Sequence, residues 1–243
     1  MKTDQERLFK RLNERFVRAF VTYHLLADDD HILIGLSGGK DSLLLTELLA
    51  KRARIDKPRF KVEAVHVRME NIHYKTSSDY LQQFCNNLQV PLHLVTTRFE
   101  PSDEKPACFL CSWYRRKQIF NMAQQLGCNK IALGHHRDDI IHTTLMNLTF
   151  QGRFGTMPAL LRMRKMPLSI IRPLCLTDEA DIRQYAKLSG YQKQIKLCPF
   201  EHVTHRTVIA KLYADIEKMN PEARFSVWHA LEPLLGGTDG AVG

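Results

Sequence analysis

The sequence predicts an α/β fold: a doubly wound, parallel, five-stranded sheet with an N-terminal helix and a short C-terminal helical extension. Three observations carry that expectation. Short apolar runs rich in β-branched residues alternate five times with segments of helical periodicity, the pattern of parallel strands joined by crossover helices. The first apolar run, HILIGLS (31–37), meets Gly38-Gly39 and passes directly into a helical segment. The polar motifs of the chain follow strands, at the edge where open parallel sheets bind ligands.

The elements follow in order. Residues 1–26 form an amphipathic helix with Leu8, Leu12, Phe16, Val17 and Phe20 on one stripe. After the first strand, SLLLTELLAKRAR (42–54) is helical, and KVEAVHVRM (61–69) alternates as a strand. SDYLQQFCNNLQ (78–89) is a helix with Ser78 or Asp79 as its cap. VPLHLVTTRF (90–99) is the third strand, and helical periodicity returns at Cys111 after a polar loop. KIALGHH (130–136) is the fourth strand. DDIIHTTLMNLTF (138–150) is a helix for which Asp138 or Asp139 is a suitable cap. LSIIRPL (168–174) is the fifth strand, and a helix over 178–190 closes at Gly190. Residues 203–235 are helical, and the tail GGTDGAVG is expected to be disordered. The chain thus divides into a helix over 1–28, an α/β domain over 29–200 and a helical extension with a flexible tail over 201–243.

The composition is that of a globular protein, 44% hydrophobic and 25% charged over 243 residues. No apolar run is long enough to span a bilayer, and the charged N-terminus lacks the apolar core of a signal peptide. A cytoplasmic protein without membrane contact is expected. Net charge is +9. Much of the excess lies in three clusters: residues 51–61, Arg115-Arg116-Lys117, and Arg162, Arg164 and Lys165. Such clusters attract polyanions, and Arg115, Arg116 and Lys117 are the candidates for RNA phosphate contact. Six cysteines in an intracellular chain of this length do not suggest a disulfide framework. Cys85, Cys128 and Cys175 sit in apolar patterns and read as buried residues.

The chemistry centres on SGGKDS (37–42). Gly38 and Gly39 allow a tight turn whose amides point into one concavity, and the following helix adds its positive end, which suits an anion. Ser37 and Ser42 can donate hydroxyls, Lys40 a point charge, and Asp41 can hold Mg²⁺ against phosphates. The spacing is neither G-x-x-x-x-G-K-[ST] nor G-x-G-x-x-G. His66 ends the second strand at the same edge. GHHRDD (134–139) follows the fourth, with Gly134, His135 and Asp139 facing the same ligand. The third constellation is Cys108-x-x-Cys111 with Cys198 much later. By residue type it fits zinc, an iron–sulfur cluster or a redox dithiol. Phe109, Trp113 and Tyr114 beside it read as packing rather than as base-stacking residues.

The SGGxDS loop resembles that of the PP-loop ATP pyrophosphatases, which would make 29–200 an ATP-binding domain. GLSGGKDS, CFLCSWYRR, LGHHRDDIIHTTLMN with QGRFGTMP, and IIRPL followed by KLC are together similar to the tRNA 2-thiocytidine synthetases of the TtcA type, over about residues 5–235. The resemblance implies ATP and Mg²⁺ on the loop and an oxygen-sensitive [4Fe–4S] cluster on Cys108, Cys111 and Cys198. It implies adenylation of the C2 oxygen of an anticodon-loop cytidine, at position 32, then replacement by sulfur. Asp41 and the three cysteines are then the catalytic residues. The partners are tRNA and a sulfur donor such as a cysteine desulfurase, and a homodimer is compatible with it. Ile195 stands where relatives often carry an extra cysteine, and His142 where they usually carry Gln or Glu. Two other readings compete: a cluster-free PP-loop enzyme, working through a Cys108–Cys198 persulfide–disulfide pair or as lysidine synthetases do, and a non-catalytic nucleotide- or RNA-binding protein.

Overall fold

The computed structural model of the chain describes residues 3–100, 104–198 and 205–236. The five expected strands are present and mutually parallel: β1 (Asp30–Gly35), β2 (Phe60–Met69), β4 (Leu92–Thr97), β5 (Lys130–Ala132) and β7 (Ser169–Ile171). A sixth, β6 (Leu160–Arg162), pairs antiparallel with β7. The sheet order is β4-β2-β1-β5-β7-β6. The five-strand expectation is therefore corrected by one edge strand, whose three residues are too few to show alternation. The unexpected β3 (His73–Tyr74) and β8 (Lys196–Leu197) form a separate antiparallel ribbon, with His73 opposite Leu197.

β1 shows why helices cover both faces. Ile32 and Ile34 join one apolar cluster, together with Leu44, Leu45 and Leu48 of α2 (Lys40–Ala53). Leu33 between them joins a second, with Val65, Val67, Ile131 and Ala123 of α4 (Ala107–Gln125). Side chains alternate across a strand, so an all-apolar run needs cover on both sides. Burying each leucine contributes about 1.5–3 kcal/mol.

α1 (Asp4–Tyr23) begins with a capping box between Thr3 and Glu6. It buries Leu8, Leu12, Phe16 and Phe20 in the first cluster, so its core is continuous with that of the sheet. Val17, expected on this stripe, turns outward because it lies one position past Phe16, a rotation of about 100°. Arg11 and Arg15 dock α1 on Asp181 and Asp178, at the start of α6 (Glu179–Leu188).

Two helix starts differ from expectation. α3 (Asp79–Leu88) has Ser78 as its N-cap, as expected, with Ser77 Oγ accepting from the Asp79 amide at 3.3 Å. Ser78 Oγ receives Arg68. α4 begins at Ala107, four residues before the expected Cys111, so Cys108 also lies in its first turn rather than in a loop. α5 (Arg137–Gln151) is capped by His136 in a box with Asp139; Asp138 points away, and accepts from the Glu179 amide at 2.8 Å.

Beyond α6, α7 (His205–Met219) and α8 (Ala223–Leu235) supply the expected C-terminal helices. Arg224 of α8 pairs with Asp138 at 2.9 Å, Asp178 at 2.8 Å and Glu217 at 2.8 Å, tying the extension to the sheet domain. The tail 237–243, expected to be disordered, lies outside the described residues. Among the described residues, no helix is long and apolar enough to cross a membrane.

Candidate functional site

The strand order reverses between β1 and β5, and a crevice opens there at the carboxyl ends of the strands. It holds a cavity of about 560 Å³, a size typical of small-ligand sites. The cavity brings together Ser37, Gly39, Asp41, Ser42, His66, Gly134, His135 and Asp139.

α2 begins at this cavity. Its N-cap is Gly39, which has no side chain to occupy the first-turn amides. Ser42 is therefore not the cap; its Oγ donates back to the Gly39 carbonyl at 2.9 Å and lies 3.1 Å from Ser37 Oγ. Gly38 has φ +79°, and a Cβ there would stand 2.4 Å from Gln194 Cγ. At Gly134 a Cβ would meet the Asp41 carbonyl carbon and the Ser42 amide at 3.1 Å. Only glycine lets the β5–α5 turn approach the α2 terminus this closely. The result is an open helix N-terminus with hydroxyls on either side, a cradle for an anion.

Carboxylates face the cradle from two sides. Asp41 Oδ1 is buried, 3.1 Å from Lys40 Nζ and 3.8 Å from His136 Nε2. The same histidine nitrogen is 3.5 Å from Asp139 Oδ2. Two carboxylates converging beside an anion cradle fit a hard divalent cation bridging to phosphate. Lys40 departs from the expected role of a phosphate contact. Its Nζ sits 3.1 Å from Asp41 and 3.0 Å from Glu179, outside the cavity lining. Burial lowers the Lys40 pKa, but these carboxylates outweigh it and the ammonium is held.

His135 and His66 are held neutral. Burial, with the Arg172 guanidinium next, pushes His135 down to about 4. His66 is lowered mainly by burial; its ring Nδ1 bonds the Leu36 carbonyl at 2.7 Å, leaving Nε2 unpaired toward the cavity. Val65, Val67, Ile119 and Leu133 form an apolar wall suited to a flat ring.

Arg115 changes place. Rather than facing solvent with Arg116 and Lys117, it lines the cavity and donates to Tyr74 Oη at 2.9 Å. Lys193, Gln194 and Arg206 also line it, and the sequence held no signal for them because they lie in segments without a motif. Arg206 Nη2 is 3.5 Å from Asp139 Oδ1.

The cysteines divide as expected. Cys85, Cys128 and Cys175 are buried, and burial pushes their thiols up to about 12, 11 and 12. Cys108 is exposed on the first turn of α4. Cys111, one turn on, packs with Cys198 on the small cluster of Met69, Ile72 and Phe99. The β3–β8 ribbon brings Cys198 there, from a segment 87 residues beyond Cys111 in sequence. Among the described residues no three His, Cys, Asp or Glu gather closely enough for a single metal ion. A cubane takes its thiolates on separate iron atoms, so its ligands stand farther apart than those of one ion. Two thiols on one apolar cluster, with Cys108 exposed one turn before Cys111 on the same helix, fit that donor set. Phe109 and Trp113, expected as packing residues, are instead exposed; only Tyr114 packs inward.

A family model described as a PP-loop domain matches residues 3–194. A "tRNA-cytidine(32) 2-sulfurtransferase" of Dichelobacter nodosus (strain VCS1703A) is 34% identical over 237 residues, covering 95% of this chain and 88% of the relative. Another of that name, from Paraburkholderia xenovorans (strain LB400), is 31% identical over 240 residues, covering 96% and 70%. The solved U34-tRNA thiolase NcsA from Methanococcus maripaludis, with its [4Fe-4S] cluster, superposes with a TM-score of 0.76 at 23% identity, covering 98% of this chain and 82% of that one. The chain belongs to the PP-loop family, in its TtcA-like branch.

Proposed function

We propose that the chain is an ATP-dependent tRNA sulfurtransferase that replaces the C2 oxygen of an anticodon-loop cytidine, at position 32, with sulfur. The observation that carries this reading is α4. One helix puts Arg115 into the nucleotide cavity and Cys111 one turn away, so nucleotide and sulfur chemistry share an edge. The relatives' names supply the substrate.

In this reading the apolar wall takes adenine, and the α2 amides with Ser37 and Ser42 take the β- and γ-phosphates. Asp41 and Asp139 would hold Mg²⁺, which would neutralise phosphate charge. The cytosine O2 attacks the α-phosphorus, the bond to the bridging oxygen breaks, and pyrophosphate leaves onto the helix end that already favours it. Neutral His66 and His135 add no positive charge that would oppose the cation. Arg115 neutralises charge on the α-phosphate. A sulfur nucleophile then forms the C–S bond at C2 as the C–O bond breaks and AMP departs. Cys108, Cys111 and Cys198 would hold a [4Fe–4S] cluster, which supplies an iron with an open position for an exogenous sulfur ligand. The sulfur comes from a donor such as a cysteine desulfurase. The reading places the chain in the cytoplasm and is compatible with a homodimer.

Anaerobic purification with iron and sulfide analysis tests the reading. Wild type should carry iron and thiolate the tRNA with ATP, and Cys108→Ser, Cys111→Ser and Cys198→Ser should lose both. An iron-free wild type that still thiolates would move the chemistry to a persulfide on the same cysteines. No sulfur transfer to any tRNA transcript would sink the proposal.

A further inference from the structure

Helix α4 has a second surface that the nucleotide site does not use. Ala107, Leu110, Cys111 and Tyr114 pack inward, and Arg115 and Ile119 line the cavity. The opposite face, from the residues just before the helix, carries Lys105, Phe109, Trp113 and Lys117, all exposed and each four positions from the next. That spacing aligns them along one side of the helix. The solvent face of a helix normally carries polar residues, yet Phe109 is 46% and Trp113 43% exposed. A cation accompanies each ring: Lys117 Nζ lies 5.3 Å from the Trp113 centroid, and Lys105 Nζ 5.9 Å from that of Phe109. Arg116 is exposed beside them, and α4 contains no acidic residue.

We propose that this face is a stacking platform for unpaired bases of the RNA substrate. Phe109 and Trp113 take successive bases, and Lys105, Arg116 and Lys117 take the phosphates between them. Aromatic rings interleaved with cations suit single-stranded nucleic acid, because every nucleotide offers a π-face and an anion. The two rings stand about 6 Å apart along the helix axis. The positive charge and the absence of acids on α4 argue against an ordinary protein-docking stripe, where aliphatic side chains would dominate. Exposed Cys108 precedes Phe109 in the same turn, about 100° round the helix from it, so the platform adjoins the sulfur site. The inference rests on the tRNA reading above and names the surface that positions the loop.

The test uses full-length protein, a fluorescein-labelled unmodified tRNA transcript and a short oligocytidylate. Phe109→Ala and Trp113→Ala should each weaken tRNA binding by about 5-fold to 100-fold, with melting temperature and ATP affinity unchanged. Trp113→Phe should restore most of the affinity. Lys105→Gln and Lys117→Gln should each reduce the salt slope of log K by about 0.7 to 0.9. Oligocytidylate should quench tryptophan fluorescence in wild type but not in Trp113→Phe, whose remaining tryptophan is Trp228. If wild type binds oligocytidylate with this quenching but no tRNA, the platform stands and the tRNA reading falls. If the Phe109→Ala/Trp113→Ala protein binds tRNA and oligocytidylate as wild type does, the platform is overturned.

Discussion

The backbone N–H of Gln194 donates to the carbonyl of Gly38 at 3.0 Å. The chain then runs four residues to Cys198, with the Ile195 amide held by Thr76 Oγ1 and the Ile195 carbonyl accepting from the Lys75 amide. The anion cradle and the third cysteine of the sulfur site therefore sit at two ends of one short, hydrogen-bonded strap.

Gly38→Ala strains both ends of that strap. The positive φ costs an L-residue about 1–2 kcal/mol, and the new Cβ would overlap the Gln194 side chain, which must move. ATP affinity should fall and the thermal midpoint should drop by a few degrees, by calorimetry. The iron content of anaerobically purified protein should fall with them, linking cradle to cysteines.

Asp41→Asn keeps the shape of the side chain and removes its charge. Asp41 lines the cavity and its Oδ1 lies 3.1 Å from Lys40 Nζ, so only the small contribution of that partly exposed pair to stability should be lost. AMP formation should fall by about 100-fold or more, the scale of several kcal/mol of lost metal stabilisation. Radiolabelled ATP turnover measures it, and near-normal AMP release would remove Asp41 from the metal site.

His135 gives stability a pH dependence. Its folded pKa, about 4, lies below the unfolded value of 6.5, so between these values the unfolded chain binds the extra proton. Stability is full above about pH 6.5 and falls as pH drops towards 4. Burial and Arg172 drive the shift, with Arg206 and His136 adding to it and Asp139 opposing. His66 and His142 are also lowered mainly by burial and act in the same direction. Glu179, held down to about 2 chiefly by Lys40 against the opposing effect of burial, contributes only at lower pH. Urea midpoints at pH 7 and pH 5 should differ in wild type, and differ less in His135→Gln.

Arg224→Ala leaves Asp138, Asp178 and Glu217 without their shared guanidinium. Asp178 keeps Arg15 and Arg137, but Asp138 is 7% exposed. A loss of about 2–4 kcal/mol is expected, read as a lower urea midpoint. Arg224→Lys should recover only part of it, because one ammonium cannot satisfy three carboxylates in the guanidinium's fork geometry.

The five parallel strands and the cradle were legible because their signals are local: an apolar run of period two, a Gly-Gly turn, a helix start. The errors cluster where a local signal was absent or ambiguous. β6 has three residues. Asp138 and Asp139 are both good caps by type, yet the turn geometry gave the cap to His136 and sent Asp138 to the next helix. Arg115, Arg116 and Lys117 are identical in charge, and only which side of α4 packs on the sheet, at about 100° per residue, separates the one in the cavity from the two outside. The same rotational setting exposed Phe109 and Trp113, which sequence alone assigned to packing.

The amino-acid order determined the five parallel strands, where an anion would bind and which thiols were available, since each follows from neighbours a few positions apart. Tertiary structure decided what meets at the site. Cys198 reaches Cys111 through the pairing of β3 with β8, and Arg206 reaches Asp139 from α7. Those contacts join segments from about 70 to more than 120 residues apart. No periodicity within either segment encodes such pairings.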